Sequence, residues 1–192
     1  MKKGLLATIC VMVLLAGCGG QPTKEPKPQA TAITAEEMQA YLQELPEEVT
    51  KETAVSEGFY TIADGAVAGG QEAWDGFLQA SEQGEAASVV ICQYSMQGGA
   101  MLDYLSHQAE GGYLLVSDRT RDGYGEELEI EKQLQETFDC LNIFEDFRLE
   151  EGGQAYTICV LSNEPELDAE TFRTYWQERT TEAHQTYLLF VI

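Results

Sequence analysis

Asp118, Asp122 and Glu129 have the types and spacing of calcium ligands. They stand at the first, fifth and twelfth places of a stretch whose sixth residue is Gly123, where an EF-hand loop requires a sharp turn. Thr120 replaces the acid or amide of the third place, Gly125 replaces the apolar eighth residue, and a β-prone run precedes the loop where a helix would stand. The competing reading is an acidic turn whose aspartates bond their own backbone and pair with Arg119 and Arg121. Cys92, Cys140 and Cys159 offer thiol chemistry. Cys140 and Cys159 flank an expected hairpin, so a cross-strand disulfide is one reading, and three buried thiols acting as small apolar residues is the other. Zinc is not expected, because there is no C-x₂-C spacing and the chain has 2 histidines. Asp103, Ser106 and His107 suggest nucleophilic catalysis, but strand neighbours point to opposite faces, and no G-x-S-x-G turn frames a serine. With no H-E-x-x-H and no glycine-rich phosphate loop, no cofactor is expected.

The remaining chemistry belongs to Cys18. It follows Leu15-Ala16-Gly17 at the end of an apolar run from Leu5 to Ala16, itself preceded by Lys2 and Lys3. A positive start, a short apolar stretch and small residues form the pattern of a secretory leader. The run is shorter than the roughly 20 residues of a membrane-spanning helix. The stretch resembles the lipobox of bacterial lipoproteins. That resemblance implies cleavage before Cys18, a diacylglycerol on its sulfur, and a body tethered to the outer face of the cell membrane. Two acyl chains hold stably where one gives marginal anchoring.

The charge fits an exported body. Lys plus Arg number 11 against 33 Asp plus Glu, a formal charge of −22, or −24 once Lys2 and Lys3 leave with the leader. Such an acidic excess argues against nucleic acid, whose phosphates need basic contacts, and against electrostatic attachment to a membrane surface. It supports solubility or the attraction of cations or a basic partner. Hydrophobic residues make up 44% of the chain, which is ordinary for a globular fold rather than a disordered acidic tail.

These residues must be positioned by the elements around them. Residues 1–17 read as leader and 18–33 as linker, with Pro22, Pro26 and Pro28 making it semi-rigid. Residues 34–192 read as one globular domain. Thr34-Ala-Glu-Glu37 is a capping box opening a helix with Met38, Tyr41, Leu42 and Leu45 on one stripe. A second short helix is expected from Pro46 to Glu57, a β-prone run at Phe59–Ile62, and flexible chain from Asp64 to Gly70. Gln71–Gln83 reads as a helix with Trp74, Phe77 and Leu78 in the core and Gly84 as its cap. Ser88–Tyr94 is β-branched and uncharged, hence central, and glycine turns lead on to Ala100–Ser106 and Tyr113–Ser117 as a meander. Gln133–Phe147 is read as one strand closing on Ala155–Leu161. Asp168 caps a helix with Phe172, Tyr175 and Trp176 inward, and Tyr187–Ile192 is an edge strand. Helices followed by strands predict an α+β fold, an antiparallel meander sheet packed with short helices.

Three stretches carry a further likeness: Gln93-Tyr-Ser-Met-Gln-Gly-Gly-Ala-Met101, Asp118-Arg-Thr-Arg-Asp-Gly-Tyr-Gly125, and Cys140 with Cys159. Together they resemble a domain of unknown function found in small lipoproteins of Gram-positive bacteria. The likeness spans about Glu52 to Ser162 and departs at Gln97-Gly98-Gly99-Ala100, where that family tends to have an acid-glycine-acid-proline turn. It implies the address and the fold, not a reaction. The expected function is a non-catalytic, membrane-tethered binding or accessory module that touches the membrane through the lipid on Cys18 and takes an unknown protein or small ligand. The alternatives are an envelope enzyme with a carboxylate-based site, or a calcium-binding surface protein. An open apolar or aromatic patch would favour the binder, and a deep pocket with facing carboxylates the enzyme.

Overall fold

The computed structural model describes residues 33–94, 98–122 and 133–192. Cys18, Gly123, Gly125 and Glu129 therefore lie outside the described residues, as do the leader and nearly all of the linker.

The first helix, α1 (Ala35–Glu44), begins at the expected capping box. Thr34 Oγ1 accepts the Glu37 N–H at 3.3 Å, and Glu37 Oε2 accepts the Thr34 N–H at 2.9 Å. The second helix, α2, is only Lys51–Ser56, shorter than the span beginning at Pro46. Thr50 rather than Pro46 starts it, its Oγ1 accepting the Thr53 N–H at 3.2 Å. The chain from Pro46 to Val49 is instead an irregular connector whose carbonyls are held by other elements.

The segment Asp64–Gly70, expected to be flexible, is a hairpin. Strands β1 (Tyr60–Ala63) and β2 (Ala66–Gly69) pair antiparallel across Asp64 and Gly65, whose φ values of 54° and 73° supply the paired positive φ of a tight hairpin. Helix α3 (Gln71–Glu82) follows and buries Trp74 and Phe77. Strands β3 (Ala87–Tyr94), β4 (Ala100–His107) and β5 (Tyr113–Asp118) then form the expected antiparallel meander, with Ile91 opposite Asp103 and Asp103 opposite Ser117. The sheet is mixed, however, because β1 lies parallel to β3.

The expected single strand Gln133–Phe147 is two strands separated at Asp139. Strand β6 (Gln133–Phe138) completes a six-stranded sheet of order β2-β1-β3-β4-β5-β6. Strand β7 (Cys140–Phe147) opens a second sheet, β7-β8-β9, with β8 (Tyr156–Ser162) in the centre and β9 (Thr186–Val191) at the expected edge. Asn163 Oδ1 accepts the Asp139 N–H at 2.9 Å where the chain changes sheets. Helix α4 (Ala169–Glu178) sits between β8 and β9 in sequence and is capped by Asp168, as expected.

The fold is α+β, organised in layers. Helices α1 and α2 cover one face of the large sheet, through Met38, Leu42, Ala54, Val90, Cys92, Leu102 and Val116. The other face meets the small sheet and α3, through Ile91, Leu105, Leu115, Trp74, Phe77, Cys159, Leu161 and Leu189. Alternation along the strands makes this possible, since Val90 and Cys92 point one way and Val89 and Ile91 the other. The far face of the small sheet packs on α4 through Val160, Leu167 and Phe172. Trp176, expected inward, is 41% exposed on α4. No described helix is long and apolar enough to cross a membrane.

Candidate functional site

The turn after β5 works as a clamp with two arms. Asp118 ends the strand, and its Oδ1 accepts both the Thr120 N–H at 2.8 Å and the Thr120 hydroxyl at 2.7 Å. Its Oδ2 takes Arg121 Nη1 at 2.6 Å. Both carboxylate oxygens are thus engaged within the turn, the arrangement expected of a self-bonded aspartate turn with arginine pairing. Asp122 is buried close by. Among the described residues, no group of three His, Cys, Asp or Glu side chains could hold a metal, and Glu129, the third residue of the calcium reading, lies outside them.

One arm is Arg121. Its Nη2 donates to the Leu42 and Leu45 carbonyls at 2.9 and 3.0 Å, and its Nε donates to the Pro46 carbonyl at 2.9 Å. The Leu42 and Leu45 carbonyls are ones that the C-terminus of α1 leaves without helical partners, and a cation is favoured at that end of a helix. Tyr94 adds a second fastening, its hydroxyl donating to the Val49 carbonyl at 3.1 Å. The α1–α2 connector is therefore pinned from the turn after β5 and from β3. Gly99, at the turn into β4, presses against the clamp: a Cβ there would lie 2.7 Å from Asp122 Cα and 2.8 Å from the Arg121 carbonyl oxygen. Only glycine allows that approach.

The pinned connector forms the wall of a half-open cavity of about 250 Å³, lined by Tyr41, Glu44, Leu45, Pro46, Val49, Thr53, Glu57 and Phe59. Tyr41 stands 37% exposed at its mouth. Its ring meets Phe59 edge-on at 6.4 Å and Tyr104 edge-on at 5.5 Å. Burial raises the Tyr41 hydroxyl pKa, and the nearby Glu57 carboxylate and Tyr104 add to the effect. Glu44 and Glu57 are exposed at the rim. Sequence reading placed Tyr41, Leu45 and Phe59 on apolar elements but missed the cavity, because the connector that walls it is held by Arg121 and Tyr94 from far along the chain.

The other arm is Arg119, which reaches the opposite side of the large sheet. Its Nη2 donates to the Tyr187 hydroxyl on β9 at 2.7 Å. Tyr187 in turn donates to Asp103 Oδ1 on β4 at 3.0 Å, and Gln93 Nε2 lies 3.4 Å from Asp103 Oδ2 while donating to the Leu189 carbonyl at 2.7 Å. This chain of bonds ties the two sheets together. Asp103 is fully buried. Burial pushes its carboxyl pKa up, against the opposing pull of Arg119, Ser117, Tyr187 and Gln93. Burial likewise raises Tyr187. Burial acts to lower Arg119, but Tyr187 and Asp103 outweigh it and leave the guanidinium more strongly protonated. Every buried side-chain nitrogen and oxygen among the described residues has a partner, so this network is closed and presents no orphan group to a ligand.

The remaining candidates are not brought together. Ser106 Oγ accepts from Gln108 Nε2 at 3.0 Å, while His107 Nδ1 lies 2.8 Å from the Glu85 carbonyl oxygen, so the two do not pair. Asp103 belongs to the closed network. Cys92, Cys140 and Cys159 are free in the structure, and the strand register sets Cys140 opposite Ser162 and Cys159 opposite Ile143. An offset of three positions along the strands sets the cysteines roughly 10 Å apart, beyond the ~7 Å Cα limit of a bridge. A cluster that sequence reading missed lies beside α4, where His184 stacks on Tyr175 at 3.7 Å and Glu164 accepts from Tyr175 at 3.1 Å and pairs with His184 at 3.2 Å. The two α4-side loops that carry Glu164 and His184 gave no spacing signal.

No family model, no curated protein and no solved structure matches this chain. Function is therefore read from the geometry. Tyr94 and Arg121 bond the connector that walls the cavity, while Asp118 holds Arg121 and Gly99 packs against it.

Proposed function

We propose that this protein is a non-catalytic binding module, tethered to the outer face of a bacterial membrane through lipid on Cys18, and that the cavity between α1 and α2 is its binding site. The carrying observation is that cavity: an aromatic and aliphatic wall with a carboxylate rim, pinned by Arg121 and Tyr94. Apolar walls with a few polar groups are what small binding sites present. Fixing the connector in advance reduces the entropy that a ligand must offset on binding. The lipobox-like stretch around Cys18, the proline-bearing linker and the acidic surface support the address.

An enzyme reading draws on the Glu164–His184–Tyr175 cluster, since a carboxylate-held imidazole is an acid–base device. Among the described residues, however, no serine, threonine or cysteine side chain hydrogen-bonds His184, and the His184 and Glu164 side chains are 39% and 37% exposed. The binding reading is tested by placing a photo-crosslinking phenylalanine analogue at position 41 or at position 176 in the full-length protein in its own membrane. A discrete adduct from position 41 and none from position 176 is expected. Adducts only from position 176 would move the binding face to α4.

A further inference from the structure

We infer that the cavity between α1 and α2 accepts an arginine side chain presented by a basic segment of a partner protein, an inference that rests on the binding reading above. Size comes first. At about 250 Å³ the cavity is below the roughly 300–1,000 Å³ of drug-sized ligand sites and suits one long side chain.

Its chemistry comes second. Leu45, Pro46, Val49 and Phe59 offer apolar surface for an aliphatic stem. The Tyr41 ring, braced edge-on by Phe59 and Tyr104 and partly open to solvent, offers a π-face for a flat cation. Glu44 and Glu57 at the rim offer carboxylates. Glu57 and Tyr41 line the same cavity. A guanidinium stacks on an aromatic face while donating in its plane to a carboxylate, which an ammonium does less well.

Charge complementarity selects a protein segment over an isolated cation. The chain from Glu44 to Glu57 carries Glu44, Glu47, Glu48, Glu52 and Glu57 against the lone base Lys51, all exposed. That acidic field extends beyond the residues lining the cavity, so a segment with further basic residues gains along its length. The whole chain, at −22, adds steering toward a basic partner.

The test is calorimetric titration of the full-length protein, held in detergent, with a capped glycine–serine peptide carrying arginines and with the same peptide carrying citrulline. The arginine peptide is expected to bind, and the uncharged peptide to bind at least about tenfold more weakly. Tyr41→Ala should weaken the arginine peptide about three- to tenfold and Tyr41→Phe should leave it unchanged, because the ring is retained. Glu57→Gln, at an exposed position that folding does not need, should weaken it about two- to fivefold. A Glu150→Gln, Glu151→Gln control on the distant β7–β8 turn should change nothing. Equal binding of the citrulline peptide would overturn the guanidinium while leaving the cavity as a binding site, whereas loss of the position-41 adduct removes the site itself. Equal weakening by the Glu150 and Glu151 control would reduce the effect to bulk charge and overturn the inference. Agmatine matching the arginine peptide in affinity would overturn the partner segment in favour of a free cation.

Discussion

Arg121 donates to three backbone carbonyls and one carboxylate from a side chain that is only 9% exposed. Removing it strands Asp118 and the end of α1. Breaking a buried pair from one side costs about 3–5 kcal/mol, so Arg121→Ala should lower the urea midpoint by a corresponding amount. Arg121→Lys should recover little, because an ammonium cannot reproduce the fork. The Asp103 carboxyl has a raised pKa in the fold, which fixes the sign of its pH dependence. Its contribution to stability is fully present below the ordinary aspartate value of 3.8 and is lost as pH rises through the raised one. Asp103→Asn removes that titration. The stability advantage of the parent over the variant should therefore shrink as pH rises from below the ordinary aspartate range towards neutrality, measured as paired urea midpoints. An advantage that grows with pH would mean that the Arg119 charge, rather than burial, dominates at Asp103.

At the scale of elements, the cavity exists because a turn and a hairpin meet. Gly99 lets the start of β4 lie against Arg121 and Asp122. Gly99→Ala should force the two apart and cost about 1–3 kcal/mol, as overpacking does. Thr53 sits in α2, at the cavity wall, and should lose order before the sheet does, which amide hydrogen exchange at α2 against β3 would record. The capping box of α1 was readable because both halves lie within one turn of chain, at Thr34 and Glu37. The true start of α2 was not. Pro46 satisfies the rule for a first helical residue, but the backbone around it is claimed by Arg121, so the helix waits for Thr50. The break at Asp139 was equally hidden, because no glycine or proline falls between Gln133 and Phe147 to mark where the chain passes from one sheet to the other.

For the whole molecule, the proposed lipid anchor and the acidic charge act at long range. Cys18→Ala should abolish incorporation of labelled palmitate and move the protein from the membrane to the soluble fraction, whereas Cys92→Ala should leave both unchanged. Binding of a basic segment should weaken as salt rises, because exposed charges are screened beyond about 8–10 Å at 0.1–0.15 M. Alternation along the strands of the six-stranded sheet serves two partners: one face receives α1 and α2, the other the small sheet and α3. The sides are joined by Arg119 and Arg121, two residues apart in one turn, which connect respectively to Tyr187 and to the end of α1.

Local patterns by themselves determined the capping box, α3, the three-stranded meander, the Asp168 cap and the α+β class, because each depends on hydrophobic period or turn chemistry within a few residues. They also placed the uncharged Ser88–Tyr94 run inside a sheet, since burial on both faces excludes charge. Tertiary structure decided the rest. Whether Cys140 comes opposite Cys159 and whether β1 runs parallel to β3 depend on register between segments far apart in sequence. The cavity is the strongest case. Its lining comes from residues 41–59, yet its shape depends on Tyr94 and Arg121, and no period along the chain reports which distant side chain will bond a connector's carbonyls.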